Sequence, residues 1–432
     1  MSDGKGNVRA IVGANWGDVG KGKITDLKAA NADIVVRFQG GGNAGHTILN
    51  KYGKFALHQL PSGIFNENTI NIIGNGCALN LEHLDKEIEK VYAGAPNLKF
   101  NLMLDLRVPL VLPHHILLDE LEEARRGDRQ FGSTKAGIAP FYADKYFKEC
   151  VQLNEIFHEE HLKSRLKYIY EKVNLNLQHV YNAPAMDYME VYDRIVKYKD
   201  FVAERMEDAA TFLRKSWQDG KNILLEGQLG ALRDPGMGIY PYVTSSHTLA
   251  GFASVGAGIP PYAINNILAV TKAYSSCVGA GPFVTELSGE QAQELRERGG
   301  DAGEYGAKTG RPRRVGYFDA VATRFGAQCQ AATELAMTGL DVLSYLDEIP
   351  VCVAYEINGE KTTQFPAPAL QDHAKPIFEN LPGFKTDIRH IRKFDELPEN
   401  AKNYVRFIEK QVGLPITVLS NGPKRDEIVE LG

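Results

Sequence analysis

The stretch Gly13-Ala-Asn-Trp-Gly-Asp-Val-Gly-Lys-Gly-Lys23 follows an apolar run, Val8 to Val12. The run reads as a short buried strand, the glycines as a tight loop, and Lys23 to Ala30 as the start of a helix. A second buried strand is expected at Asp33 to Phe38 (DIVVRF). Strand, loop, helix and strand within about 30 residues form the βαβ pattern of a parallel sheet. Such a loop aims backbone N–H groups and a helix N-terminus at one point, which suits a phosphate. Gly17 to Lys23 satisfies the spacing GxxxxGK, and Lys21 or Lys23 would add a point charge. Ile24 stands where such loops usually carry the Ser or Thr that holds magnesium, so Asp18 is the expected substitute ligand. The plainer alternative is a tight turn with solvated lysines. Four glycines and two lysines between a strand and a helix argue for phosphate.

Outward from this unit, strand-like runs recur at Thr69–Ile73, Leu102–Leu104, Asn222–Leu225, Ile267–Lys272, Leu335–Met337, Val351–Tyr355 and Ile416–Leu419, many separated by helical patterns. The stretch Val151 to Asp219 is charge-rich, almost free of glycine and periodic, with Val191 to Lys215 as one expected amphipathic helix. Glu356 to Phe365 reads as a hairpin with an Asn-Gly turn. The expected fold is α/β: one domain over 1–432 with a large, mostly parallel sheet, a P-loop-like phosphate-binding loop, a helical subdomain at about 151–219 and small β hairpins.

Composition narrows the functional classes. The 432 residues carry a net charge of −5, which argues against a nucleic-acid binder. No apolar run approaches the roughly 18 residues of a membrane helix. Five scattered cysteines without a CxxC pair exclude a disulfide framework or zinc ribbon and fit a reducing, cytoplasmic setting. Glycine is in excess at 42 residues, which implies many places where backbone turns tightly or approaches a ligand.

Five further segments could carry chemistry. Gln39-Gly-Gly-Gly-Asn-Ala-Gly-His-Thr47 follows the second strand and is expected to put His46 at the carboxyl end of a parallel strand, where α/β ligands bind. Phe131-Gly-Ser-Thr-Lys-Ala-Gly-Ile-Ala-Pro140, with Ser133 and Thr134, would suit another phosphate. Leu225-Glu-Gly-Gln-Leu-Gly230 and Tyr240-Pro-Tyr-Val-Thr-Ser-Ser246 read as a strand end and a hydroxyl-rich loop. Gly306-Ala-Lys-Thr-Gly-Arg-Pro-Arg-Arg314 offers guanidinium forks that grip carboxylate or phosphate. In Thr338-Gly-Leu-Asp341, near Leu419-Ser-Asn-Gly-Pro423, an Asp could accept guanine N1–H and N2–H₂, a donor pair adenine lacks.

In this order, over Val8 to Asp426, the segments resemble the adenylosuccinate synthetase family: WGD.GKGK, NAGHT, YPYVTSS, TKAYSS.VGAGPF.TEL and TGRPRR. The resemblance implies a homodimeric ligase of purine (AMP) biosynthesis that joins IMP and L-aspartate using GTP and Mg²⁺, by way of 6-phosphoryl-IMP. It implies that Asp18 takes the N1 proton of IMP and binds magnesium with the Gly45 carbonyl. His46 and Lys21 would be the other catalytic groups. Gly17, Gly20, Gly22, Lys23, Asp341, Ser420, Gly422 and Pro423 would bind GTP. IMP would meet Asn43, Thr134, Gln228, Thr244, Val278 and Arg311, with Lys148 lent by a partner subunit. Thr309, Arg311 and Arg313 would hold aspartate.

Some positions depart from the family's pattern. Val19 replaces a Glu beside Asp18, Gly42 a His, Ala136 and Lys308 an Arg and a Thr, Leu229 a Gln, Lys148 an Arg, and Gly339 the Lys of TKLD. They define the alternatives: a paralogous ligase with another purine or amino-acid substrate, or a nucleotide-binding variant of low turnover because of Val19.

Overall fold

The computed structural model describes residues 4–300, 303–306, 310 and 312–431. The opening unit forms as its residues imply. Strand β1 (Val8–Gly13) leads through the glycine loop into helix α1 (Lys21–Ala29) and on to strand β2 (Ile34–Arg37). Both strands join a ten-stranded sheet with β1 near its middle. From one edge the order is 428–430, 416–420, 334–338, 264–272, β1, 223–226, β2, 70–73, 101–105 and 206–207. Every neighbouring pair is parallel except the edge pair 416–420 and 428–430.

The strands are apolar on both faces, as a parallel sheet covered on both sides requires. Ala10, Val12, Val36 and Leu225 point into the largest core cluster. Ile11, Val35, Leu224 and Val270 point the other way, beneath Ile24 and Ala29 of α1. Val19 belongs to this second cluster and is 2% exposed. Thus the residue after Asp18 is part of the core, not of the ligand-facing loop surface.

Two regions differ from the sequence expectation. Val351–Tyr355 lies outside the main sheet, in a small four-stranded sheet of 318–319, 348–357, 360–362 and 375–382. The Asn358–Gly359 turn there has positive φ at both residues, as a tight hairpin requires. Val191 to Lys215 is not one helix. Helices Tyr188–Val196, Lys199–Ala203 and Ala209–Gln218 are separated by bends and the short strand Met206–Glu207, which extends the sheet edge. Sheet pairing there overrides the helical period. No described helix is long and apolar enough to cross a membrane.

Candidate active site

Six of the parallel strands end on one edge of the sheet, and chemistry-bearing segments follow them there. Asp18 follows β1, residues 39–45 follow β2, Gln228 and Leu229 follow Glu226, and Lys272 closes its strand. Asp341 follows Thr338, and Gly422 follows Ser420. The carboxyl edge of an open α/β sheet is where ligands bind. Two cavities open along it, of about 630 and 470 Å³. Among the described residues, Asp18 alone lines both.

The larger cavity has Asn43, Thr134, Leu229, Thr244 and Val278 on its wall. Arg233 braces that wall by donating to the carbonyls of Val278 (2.6 Å) and Tyr242. Gln228 is not on it. Its Nε2 donates to the Gly41 carbonyl at 3.0 Å, and its own carbonyl accepts from Gln39, so it stitches the second glycine loop to the sheet. Leu229 takes its place at the cavity, in the left-handed region with φ 57°. Lys148 is exposed and also off this wall, at the C-terminus of the helix Ile138–Phe147.

The smaller cavity is lined by Gly20, Lys23, Lys272, Glu304, Arg313, Gly339, Asp341, Ser420, Gly422 and Pro423, among others. Gly20 starts α1 at φ 80°, so the helix N-terminus opens onto this space. Lys23 is less free than its place in the motif suggests. Its Nζ donates to Ser420 Oγ (2.9 Å) and to the carbonyls of Gly422 (2.7 Å) and Glu427 (3.0 Å), tying the C-terminal loop to α1. Burial pushes the Lys23 ammonium down to about 8. Burial likewise pushes the Asp341 carboxyl up to about 6, against the pull of Lys23.

Lys21 and His46, the other catalytic groups that the resemblance implies, line neither cavity. Lys21 is buried, donates at 2.6 Å to the Leu229 carbonyl, and is pushed down to about 8 by desolvation. Close packing sets this register: a Cβ on Gly17 would come within 2.8 Å of Leu229 Cα, and one on Gly22 within 2.9 Å of His46 Cβ. His46 does not sit at a parallel strand's end. It opens strand β3 (His46–Asn50), which pairs antiparallel with β4 (Gly53–Leu57), and the hairpin folds its ring back to the sheet edge. There Nδ1 lies 2.5 Å from Glu226 Oε1, while Nε2 is buried without a partner. Burial pushes the ring down to about 4. Glu226 is buried too, but its hydrogen bond with His46 and the Arg37 guanidinium outweigh desolvation and hold it at about 2. Gly45, just before His46, is exposed.

Asp18, at φ 55°, meets Arg313 Nε through Oδ2. Arg313 also donates to Glu304 at 2.9 Å. Thr309 and Arg311, like Lys308, lie outside the described residues. One cluster of three potential metal ligands occurs among the described residues, His114, His115 and Asp144, behind the larger cavity. The Leu112 N–H donates to His115 Nδ1 at 2.9 Å, so His115 Nε2 carries the proton that meets Asp144. A ring held that way clamps two helices together rather than a metal.

Glu226, Arg233, Lys272 and Glu304 were not singled out from the sequence. Glu226 did carry a signal: an acid closing an apolar strand just before Gly227. Glu304 lies in the glycine-rich run 299–310, which marks a loop near a ligand but does not mark this carboxylate.

The adenylosuccinate synthetase family model matches residues 10–429. The chain belongs to that family. An adenylosuccinate synthetase of Dehalococcoides mccartyi is 41% identical over 423 residues, 98% of this chain and 99% of that one. One from Alkaliphilus metalliredigens is 41% identical over 97% of each chain. The fully ligated adenylosuccinate synthetase of Plasmodium falciparum superposes with a TM-score of 0.91 at 35% identity, covering 99% of this chain and 100% of that one. The cyanophage S-2L succinoaminodeoxyadenylate synthetase, bound to dGMP and dATP, shares the fold at TM-score 0.63 and 16% identity, over 99% and 95% of the two chains. As an adenylosuccinate synthetase family member, the chain is a C–N bond-forming ligase that joins IMP and L-aspartate at the expense of GTP, in purine biosynthesis. A paralogue with another substrate, or a low-turnover binder, is not favoured.

Proposed function

We propose that IMP occupies the larger cavity and GTP the smaller, and that the ligation runs through 6-phosphoryl-IMP formed at Asp18. The observation that carries this reading is that Asp18 is the one described residue common to both walls. Asp18 accepts the N1 proton of IMP, the 6-oxygen attacks the γ-phosphorus, and GDP departs. The aspartate amine then attacks C6, phosphate leaves, and the amine gives up a proton. Arg313 leaves Asp18 before the first step and grips an aspartate carboxylate in the second, with Thr309 and Arg311.

The electrostatics of the first step come from Lys21, the loop amides and His46. In the free protein His46 is neutral, with Nδ1–H given to Glu226. A phosphoryl dianion at Nε2, added to the ionised Glu226, favours the doubly protonated ring, so His46 gains its donor as nucleotide arrives. Asp18 Oδ2, which among the described residues meets an arginine that can turn away, and the exposed Gly45 backbone are hard oxygen donors of the kind Mg²⁺ prefers. A bound Mg²⁺ would neutralise charge on the triphosphate.

Tyr146 and Phe147 are 67% and 68% exposed beside Lys148, and Phe147 reaches the rim of the larger cavity. An apolar pair next to a cation at that rim supports a homodimer in which Lys148 serves the partner's IMP. Five unpaired cysteines support a cytoplasmic setting.

The test is phosphate release from GTP. It should require both IMP and aspartate, with adenylosuccinate absorbance rising in step, and ATP should not replace GTP. Phosphate release that ignores either co-substrate would overturn the reading.

A further inference from the structure

Glu304 is 2% exposed, yet its carboxylate serves three side chains. Lys272 Nζ donates to Oε1 at 2.6 Å, Tyr274 OH donates to the same oxygen, and Arg313 Nη1 donates to Oε2 at 2.9 Å. The backbone repeats the link: Glu304 N donates to the Arg296 carbonyl (2.7 Å), and Arg313 N donates to the Glu304 carbonyl (2.8 Å). Arg313 then meets Asp18 through Nε. Lys272, Glu304, Arg313 and Asp18 thus form a row of alternating charge from a strand end to the phosphate loop.

Two carboxylates share one guanidinium in this row. Burial opposes the charge on Glu304, but Lys272 and Arg313 outweigh it and keep the carboxyl ionised, well below its usual range. Glu304 holds Arg313 through Nη1, and Asp18 meets the guanidinium on its Nε side. Without Glu304, Asp18 is the one carboxylate left to Arg313 among the described residues, and the guanidinium fork is free to turn and close on it. Lys272 would also lose its counter-charge in a buried place.

We propose that Glu304 is a positioning residue for the amino-acid substrate: it holds Arg313 short of full engagement with Asp18, ready to receive a carboxylate. This rests on the reading above, in which Arg313 binds aspartate. Glu304 also lines the smaller cavity, so a direct role toward GTP is the competing possibility, and steady-state kinetics separate the two.

In Glu304→Gln, checked by thermal unfolding, the KM for aspartate should rise at least about tenfold while those for GTP and IMP stay within about threefold. A rise confined to GTP, an equal rise in all three, or a fall in kcat alone would overturn the inference. Should Glu304→Gln fail to fold, Glu304→Asp, which keeps the charge but shortens its reach, should raise the aspartate KM by at least about threefold with the other two unchanged. Equal KM values in that variant and the wild type would equally overturn it. A wild-type chain that makes no adenylosuccinate would instead sink the parent reading.

Discussion

His46 Nδ1 and Glu226 Oε1 are 2.5 Å apart, in a place sealed from water. Ser62 locks the carboxylate with its N–H on Oε2 (2.8 Å) and its hydroxyl on Oε1 (2.5 Å), the oxygen that also meets His46, and Arg37, 1% exposed, stands 3.8 Å away. The acid therefore sets both the tautomer and the direction of the ring, leaving Nε2 as the ring nitrogen without a partner among the described residues.

Removing that acid should damage catalysis and stability together. Glu226→Gln should slow turnover by about 10²-fold, because the ring loses its fixed tautomer. It should also lower the unfolding free energy by about 3 kcal/mol, because Arg37 loses its buried counter-charge. His46→Asn should lose comparable turnover with stability within about 1 kcal/mol. A Glu226→Gln enzyme with wild-type turnover would remove this pair from the mechanism.

Asp18→Asn keeps the side chain's shape but accepts no proton and offers Arg313 no charge. Turnover should fall by about 10²-fold or more with folding intact. Equilibrium binding of IMP to the variant separates the chemical step from simple loss of substrate. Near-normal rates would mean that another group takes the N1 proton.

Val19→Glu tests a different expectation. The missing glutamate would cripple the loop only if this position faced the ligands, but Val19 is buried in the apolar cluster that holds Ile11, Ile24, Leu268 and Val270. A carboxyl placed there without a partner should cost on the order of 3 kcal/mol. Chemical denaturation should show that loss, and turnover should not rise. A stable and faster variant would show that the loop can turn this position outward.

How far the sequence could be read follows the range of the interactions. β1, the loop, α1 and β2 are contiguous, and local signals sufficed for them. The neighbours of β1 were invisible, since strands 223–226 and 264–272 come from more than 200 residues away. His46 was legible as a functional candidate but not as the first residue of a hairpin. Its partner Glu226 comes 180 residues later, and no local pattern joins them. Val19 was legible as a departure from the family's pattern, but loop membership says nothing about which way a side chain turns, so its place in the core was not. Glu304 acts only through what folding brings to it.

Lys21 and Lys23 give the site an alkaline limit. Burial lowers both ammonium groups to about 8, and the cationic form is the one that meets phosphate or the loop carbonyls. GTP affinity of the free protein should be full below that value and fall as pH rises through it, by about tenfold per unit for each lysine. Isothermal titration of GTP between pH 7 and 9.5 should therefore approach a two-proton slope. In Lys21→Arg, which stays charged throughout, the slope should drop to one. An unchanged slope in a variant that still binds GTP would mean that Lys21 does not face the phosphates.

Asp341 should decide the base. It lines the smaller cavity with Gly339, Ser420, Gly422 and Pro423, and only its ionised form can accept from both guanine N1–H and N2–H₂. Gly339, at φ 71°, brings no side chain over the base, so selection falls on the carboxylate. Asp341→Asn replaces one acceptor by a donor and should raise the GTP KM by about 10²-fold, the worth of a charged hydrogen-bond pair. Xanthosine triphosphate, whose C2 carbonyl accepts where guanine donates, should become the better substrate. Because burial holds Asp341 near 6, wild-type GTP affinity should also weaken as pH falls below that value. The Asn variant, with nothing to titrate, should not follow. Retention of GTP preference by Asp341→Asn would move base recognition to the backbone of 420–423.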